Sequence, residues 1–200
     1  MLVTDDRLME GRDLVATCRD AVQGGVTCVQ LRLKRVPPRE LIAAARALVE
    51  QLPVPVLVND RLDVALAAGA AGVHLGPDDL PVGLARRIAP AGFWIGASVG
   101  TPGEADLGRD ADYWGIGPWR ASETKPDAGA PLGGDGFRAL CALGQGTPCI
   151  AIGGIRAEDV PAVHEAGGSG VAVISGILGA VDVRKAATDY RSALLARGLP

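Results

Sequence analysis

Residues 148–177 read PCIAIGGIRAEDVPAVHEAGGSGVAVISGI. Two short runs in this stretch, Pro148–Ile152 and Gly170–Ile174, are apolar throughout rather than alternating. Such runs suit parallel strands covered on both faces. Between them, Arg156–Glu165 has helical spacing, and Gly167-Gly168 supplies a helix-ending turn. The whole is a strand–helix–strand unit. Small residues follow each strand, Gly153-Gly154 after the first and Ser175-Gly176 after the second. Without a Cβ, backbone N–H groups come close to phosphate oxygens, and a short helix start offers more of them. Loops after the last two strands of a (β/α)8 barrel form the common phosphate cradle of that architecture.

The same alternation runs back to the N-terminus. Further apolar runs are Leu2–Thr4, Cys28–Leu33, Val54–Val58, Gly72–Leu75, Trp94–Ser98 and Tyr113–Ile116. Candidate helices between and after them are Gly11–Gln23, Pro38–Gln51, Arg61–Ala68, Pro81–Ala89, Thr101–Asp110, Asp135–Leu143 and Asp182–Ala196. No compositional break or low-complexity segment interrupts the pattern. The sequence predicts a single α/β domain, a (β/α)8 TIM barrel over residues 1–200, with an open doubly wound sheet as runner-up. The stretch Pro118–Gly134 follows the sixth strand and carries Thr124 and Lys125. Its place on the active-site face predicts a loop that closes over bound ligand.

Bulk properties narrow the function classes. Hydrophobic residues make up 48% and charged residues 22%, which is a folded composition. A net charge of -3 and 4% aromatics argue against a nucleic-acid surface. Cys18, Cys28, Cys141 and Cys149 lack C-x-x-C spacing, so they read as plain thiols of a reducing compartment and not as a zinc site. No apolar run reaches the roughly 18 residues of a membrane span, and the opening MLVTDDRLMEGR lacks the apolar core of a signal peptide. The expectation is a cytoplasmic enzyme with small-molecule partners, no nucleic acid and no membrane. Self-association stays open.

Polar residues interrupt the apolar runs at the strand C-termini, where a barrel gathers them at one mouth. Period two puts Gln30, Arg32 and Lys34 on one face at the end of the second strand. Two cations and an amide there suit an anion such as diphosphate. Asn59 and Asp60 end the third strand, and His74 through Asp79 end the fourth. Asp60 and Asp79 on neighbouring strands suit Mg2+, which prefers one or two carboxylates plus substrate phosphates. Each aspartate read alone is a helix N-cap. Ser98 ends the fifth strand and reads either as a phosphate contact or as a helix cap. His74 reads equally as a base or as a satisfied core histidine, and His164 as a bystander on an outer helix.

These segments resemble the thiamine-phosphate synthase family: LVTDD, QLRLK, VND, GVHLGPDDLP, GAS, GIGP with SETKPD, AIGGI and VAVISGI, over nearly the whole chain. The resemblance implies an Mg2+-dependent transferase of thiamine biosynthesis. It would join an aminopyrimidine methyl diphosphate to a thiazole phosphate and release pyrophosphate. It further implies that Gln30 and Asn59 contact the pyrimidine substrate, and that Arg32, Lys34 and Lys125 hold the departing diphosphate. Asp60 and Asp79 would bind Mg2+, and Ser98 would hydrogen-bond pyrophosphate. Ser122, Thr124, Gly153, Gly154, Ile174 and Ser175 would serve the thiazole phosphate. Three positions depart from the family pattern: Gly100 stands where a histidine is frequent, Leu33 where an acid is usual, and Ser122 where Thr is usual.

Three rivals remain. A thiazole tautomerase, the paralogous isomerase, relies on the histidine that Gly100 replaces. A non-catalytic phosphate-binding barrel has no need of Asp60 and Asp79 together. A phosphosugar epimerase needs an acid/base pair across the mouth and no diphosphate clamp.

Overall fold

The computed structural model describes residues 1–121 and 129–196. Ser122, Thr124 and Lys125 lie outside them. Eight parallel strands pair in sequence order. They are β1 (Leu2–Val3), β2 (Val29–Leu31), β3 (Val56–Asn59), β4 (Gly72–Leu75), β5 (Trp94–Val99), β6 (Tyr113–Ile116), β7 (Cys149–Ile152) and β8 (Gly170–Ala172). Val3 N–H donates to Val173 O at 3.0 Å, and Val173 N–H donates to Met1 O at 3.0 Å, so the last strand meets the first and the barrel closes. The alternation of apolar runs and helices is realised as the (β/α)8 architecture.

The helices follow in order: α1 (Leu14–Gln23), α2 (Pro38–Gln51), α3 (Leu62–Ala68), α4 (Val82–Ile88), α5 (Pro102–Leu107), α6 (Gly133–Leu143), α7 (Val160–Glu165), α8 (Ser175–Leu178) and α9 (Val183–Leu195). α1 begins later than its spacing suggests because Gly11 has φ +71° and Asp13 is the cap, its carboxylate accepting Ala16 N–H at 2.8 Å. α6 begins at Gly133, earlier than the expected Asp135.

Side-chain period two sorts each strand into two faces. The outward set, including Val29, Leu31, Val56, Val58, Val73, Ile95 and Ala151, belongs to the large apolar core shared with the helices. The inward set builds a smaller cluster of Cys28, Leu57 and Tyr113, with Met1, Ala71 and Ile150 packed on it. That cluster is the apolar floor of the barrel. A barrel interior must alternate large and small side chains to fill without overlap. Gly96 is the small partner of Tyr113, since a Cβ there would sit 2.2 Å from the tyrosine ring.

Burial decides the character of the thiols. The Cys18 thiol is pushed up to about 12 by burial, and Cys28 to about 11, so both stay protonated and unreactive. Among the described residues, no helix is long and apolar enough to cross a membrane.

Candidate active site

Thr4, Asp5 and Asp6 follow directly on β1, and these three residues organise the end of β2. Thr4 is fully buried, and its Oγ1 accepts Arg32 N–H at 2.8 Å. The Asp5 carboxylate accepts from Arg32 Nη1 at 3.2 Å, with both side chains largely buried. Asp6 accepts Lys34 N–H at 2.9 Å and Arg35 N–H at 3.1 Å. β2 therefore stops at Leu31, not at Leu33 as its apolar run suggests, because side chains just after β1 replace the strand ladder from Arg32 onward. Arg32 is fixed at its backbone and at its guanidinium, and a bidentate donor held this way is preorganised for an anion.

The carboxylates lie on the next two strand ends. Asp60 has φ +63°, a strained conformation for a residue with a Cβ. Its N–H donates to His74 O at 2.8 Å, which locks the turn. Asp60 does not cap α3; the cap position is Arg61, with no side-chain cap bond. Nor does Asp79 cap α4, which begins after Pro81; its carboxylate accepts Gly76 N–H at 2.7 Å instead. The N-cap readings of both aspartates are thereby removed. The two carboxyls are near enough for Asp60 to act on Asp79, and Lys34 Nζ lies 3.2 Å from Asp60. Burial, followed by the neighbouring Asp60, raises Asp79 above the usual carboxylate range, against the pull of Gly76 N–H and Lys34. Two carboxyls so placed are short of positive charge, and a divalent cation between them would supply it. The donor set fits Mg2+. Among the described residues, no group of three or more His, Cys, Asp or Glu forms a fuller cage, and Mg2+ does not require one.

Inside the mouth runs a chain of polar side chains, one from each of four strands. Tyr113 O lies 2.9 Å from His74 Nδ1, and His74 Nε2 lies 3.0 Å from Ser98 Oγ. Gln30 is buried beside Tyr113, and its pull on the hydroxyl is outweighed by burial. Whichever His74 ring nitrogen carries the proton donates and the other accepts, so the tautomer sets the direction of both bonds. Burial pushes the Tyr113 hydroxyl well up, so it remains neutral. α5 is capped by Thr101, whose Oγ1 accepts Glu104 N–H at 3.2 Å, so Ser98 is not a helix cap. His74 is the satisfied histidine of the sequence reading, placed one hydrogen bond from the ligand face. Gly96→Ala is expected to push the Tyr113 ring out of this chain. Turnover should fall roughly tenfold, as when one positioned hydrogen-bond donor is misaligned. Steady-state kinetics, with near-UV circular dichroism to report the displaced ring, checks it.

The chain matches the family described as thiamine monophosphate synthase over residues 1–177. A thiamine-phosphate synthase of Methanoculleus marisnigri is 46% identical over 200 residues, covering 98% of this chain and 94% of the relative. One from Azorhizobium caulinodans is also 46% identical, covering 96% and 92%. The solved thiamine phosphate pyrophosphorylase of Pyrococcus furiosus superposes with a TM-score of 0.87 at 36% identity, covering 98% of this chain and 94% of that one. This chain belongs to the thiamine-phosphate synthase family.

Within that family frame, the expected residues divide by position. Gln30, Arg32, Lys34, Asn59, Asp60, Asp79 and Ser98 come together at the ends of β2 to β5. Gly153 and Gly154 follow β7, with φ +93° and +66°. Ile174 occupies the cap position of the short α8 that Ser175 begins. His164 lies on α7, its Nδ1 3.5 Å from Gly168 O, away from the mouth. Sequence reasoning did not single out Thr4, Asp5, Asp6 or Tyr113 as site-building residues. The signal for the first three was in the text: a polar, acidic run directly after an apolar strand, beside a strand that ends in cations.

Proposed function

We propose that this chain is a thiamine-phosphate synthase, joining an aminopyrimidine methyl diphosphate to a thiazole phosphate with release of pyrophosphate. The observation that carries the reading is the ion pair of Lys34 with Asp60, next to the raised Asp79 and beside an Arg32 preset by Asp5. A plain phosphate binder has no use for paired carboxylates among its cations.

The chemistry asks for electrostatics more than for proton transfer. The bond between the methylene carbon and the diphosphate oxygen breaks, and negative charge gathers on the leaving group. Arg32 and Lys34 meet that charge where it develops, with Lys125 from the loop after β6. Ser98, held by His74 Nε2 at 3.0 Å, would hydrogen-bond the departing pyrophosphate. The aminopyrimidine ring supports the methylene cation, and the thiazole nitrogen closes the new carbon–nitrogen bond. No side chain acts as nucleophile. Asp60 and Asp79 would hold Mg2+, which when bound neutralises charge on the diphosphate. Gly153, Gly154, Ile174 and Ser175, with Ser122 and Thr124, hold the phosphate of the thiazole.

Lys125→Ala is expected to slow turnover roughly tenfold to a hundredfold, the loss of one charge-assisted contact to the leaving group. Incubating the protein with both precursors and following thiamine phosphate by mass spectrometry tests the reading. Product should require both precursors. Conversion of the thiazole phosphate alone, with no coupling, would instead identify an isomerase.

A further inference from the structure

The loop that leaves β6 is pinned to the loop that leaves β7 by contacts the reaction itself does not use. Trp119 N–H donates to Ile152 O at 2.8 Å, and Arg120 N–H donates to Gly153 O at 2.9 Å. These two bonds carry the β6–β7 ladder past the ends of both strands. The Arg120 guanidinium then reaches Asp159, donating from Nε at 3.1 Å and from Nη2 to the other carboxylate oxygen. Asp159 is 5% exposed and also accepts Arg156 N–H at 2.9 Å. Burial pushes its carboxyl up, but the bonds from Arg120 and Arg156 outweigh that and hold it below the usual range.

The glycine pair lies in the middle of this arrangement. A Cβ on Gly153 would stand 2.8 Å from Pro118 Cα, and one on Gly154 would stand 2.9 Å from Arg120 Cβ. The β6 loop therefore occupies the space that the missing side chains leave. The shape of the Gly153-Gly154 turn depends on where Pro118 to Ala121 sit, and Arg120 is the residue that ties both segments to Asp159. Most surface ion pairs contribute little because water competes for both partners. Here one partner is buried and the pairing is two-pronged, so both distance and angle are fixed.

We propose that the Arg120–Asp159 pair is a positioning device that holds the Gly153-Gly154 turn in its phosphate-binding shape. It thereby sets the affinity for the phosphorylated thiazole while leaving the pyrimidine diphosphate side untouched. This rests on the assignment of Gly153 and Gly154 to the thiazole phosphate made above. Neither Arg120 nor Asp159 touches substrate; both act through the glycine turn.

Arg120→Met keeps the length of the stem and removes the fork, and Arg120→Lys restores one charged bond. In Arg120→Met, KM for the thiazole phosphate should rise roughly tenfold or more, as expected when a binding loop is misplaced. KM for the pyrimidine diphosphate should change by about twofold or less, and Arg120→Lys should recover part of the loss. A purely structural role would instead raise both KM values together and lower the thermal midpoint, and that pattern overturns the proposal. A second measurement needs no turnover: inorganic phosphate titrated calorimetrically into each protein, with pyrophosphate and Mg2+ present to fill the β2–β5 side. Weaker phosphate binding by Arg120→Met than by the wild type is the expected result. Equal binding by the two, or no binding by the wild type, overturns it. Weakened phosphate binding in a protein that forms no thiamine phosphate would sink the synthase reading and leave the positioning role standing.

Discussion

Arg32→Ala should lower turnover by roughly a hundredfold to a thousandfold, the range for removing one preorganised donor from a developing oxyanion. The expectation follows from how the residue is held. Thr4 fixes its backbone and Asp5 its guanidinium, so the cation is in place before any ligand arrives. Little reorganisation is then left for the moment of bond breaking. Removing Arg32 also takes the cation from the largely buried Asp5 carboxylate, which keeps the N–H groups of Arg7 and Leu8 but leaves negative charge where the reaction needs positive. Arg32→Lys should recover only part of the rate, because an ammonium cannot reproduce the two-pronged fork. Asp5→Asn makes the complementary case. It leaves the cation and loosens its aim, so it should cost less than Arg32→Ala. Pyrophosphate release at saturating thiazole phosphate measures all three. Equal rates in Arg32→Ala and wild type would remove the diphosphate clamp from the account.

The second large effect concerns the carboxylates. Asp60→Ala should reduce the rate roughly a thousandfold or more at any Mg2+ concentration near that needed by the wild type, since it would remove half of the carboxyl pair proposed to hold the metal. Its pH dependence carries a sign that can be worked out in advance. Asp79 is raised by burial and by Asp60. Mg2+ binds the ionised carboxyl, so metal affinity falls as pH drops through that raised value, at a higher pH than an ordinary aspartate would show. On that acid limb, the Mg2+ needed for half-maximal rate should climb about tenfold per pH unit. Stability moves the other way. A carboxyl that binds its proton more tightly folded than unfolded favours the fold at low pH and opposes it as pH rises through its folded value. Asp60→Asn removes one of the two causes of the shift, so the acid limb of the Mg2+ dependence should move to lower pH. An acid limb that stays in place in Asp60→Asn would mean that the two carboxyls do not share a site.

Much of the barrel was legible because its strands are buried on both faces and therefore read as unbroken apolar runs. β4 and β6 have the predicted bounds, Gly72–Leu75 and Tyr113–Ile116. Other strands shift by one or two residues at an end, β3 to Val56–Asn59, β5 to Trp94–Val99 and β8 to Gly170–Ala172, and one error falls where side chains take over from backbone. β2 stops short because Thr4 and Asp6, more than twenty positions upstream, accept the N–H groups of Arg32 and Lys34. The cations and carboxylates at the mouth were readable for a related reason. Strand ends are the places where polar residues interrupt an apolar run, and parallel strands put all such ends on one side.

What the sequence concealed is pairing across the barrel. Tyr113 reads as one more aromatic in an apolar strand; only the closed interior brings it to His74, 39 positions away. Arg120 and Asp159 are separated by the same interval, and nothing local marks either as the partner of the other. The Asp60 and Asp79 N-cap readings failed on local geometry. Asp60 adopts a positive φ, and Asp79 turns back to Gly76, neither of which residue type alone reveals.

This mouth is proposed to expel pyrophosphate with the help of a metal held by Asp60 and Asp79. The decisive measurement is pyrophosphate release by the purified protein supplied with both precursors, with and without Mg2+, in wild type and Asp60→Ala. Release should depend on Mg2+ and be lost in Asp60→Ala. Release that persists without Mg2+ and survives Asp60→Ala, or no release by a wild-type protein that still binds phosphate, would contradict it.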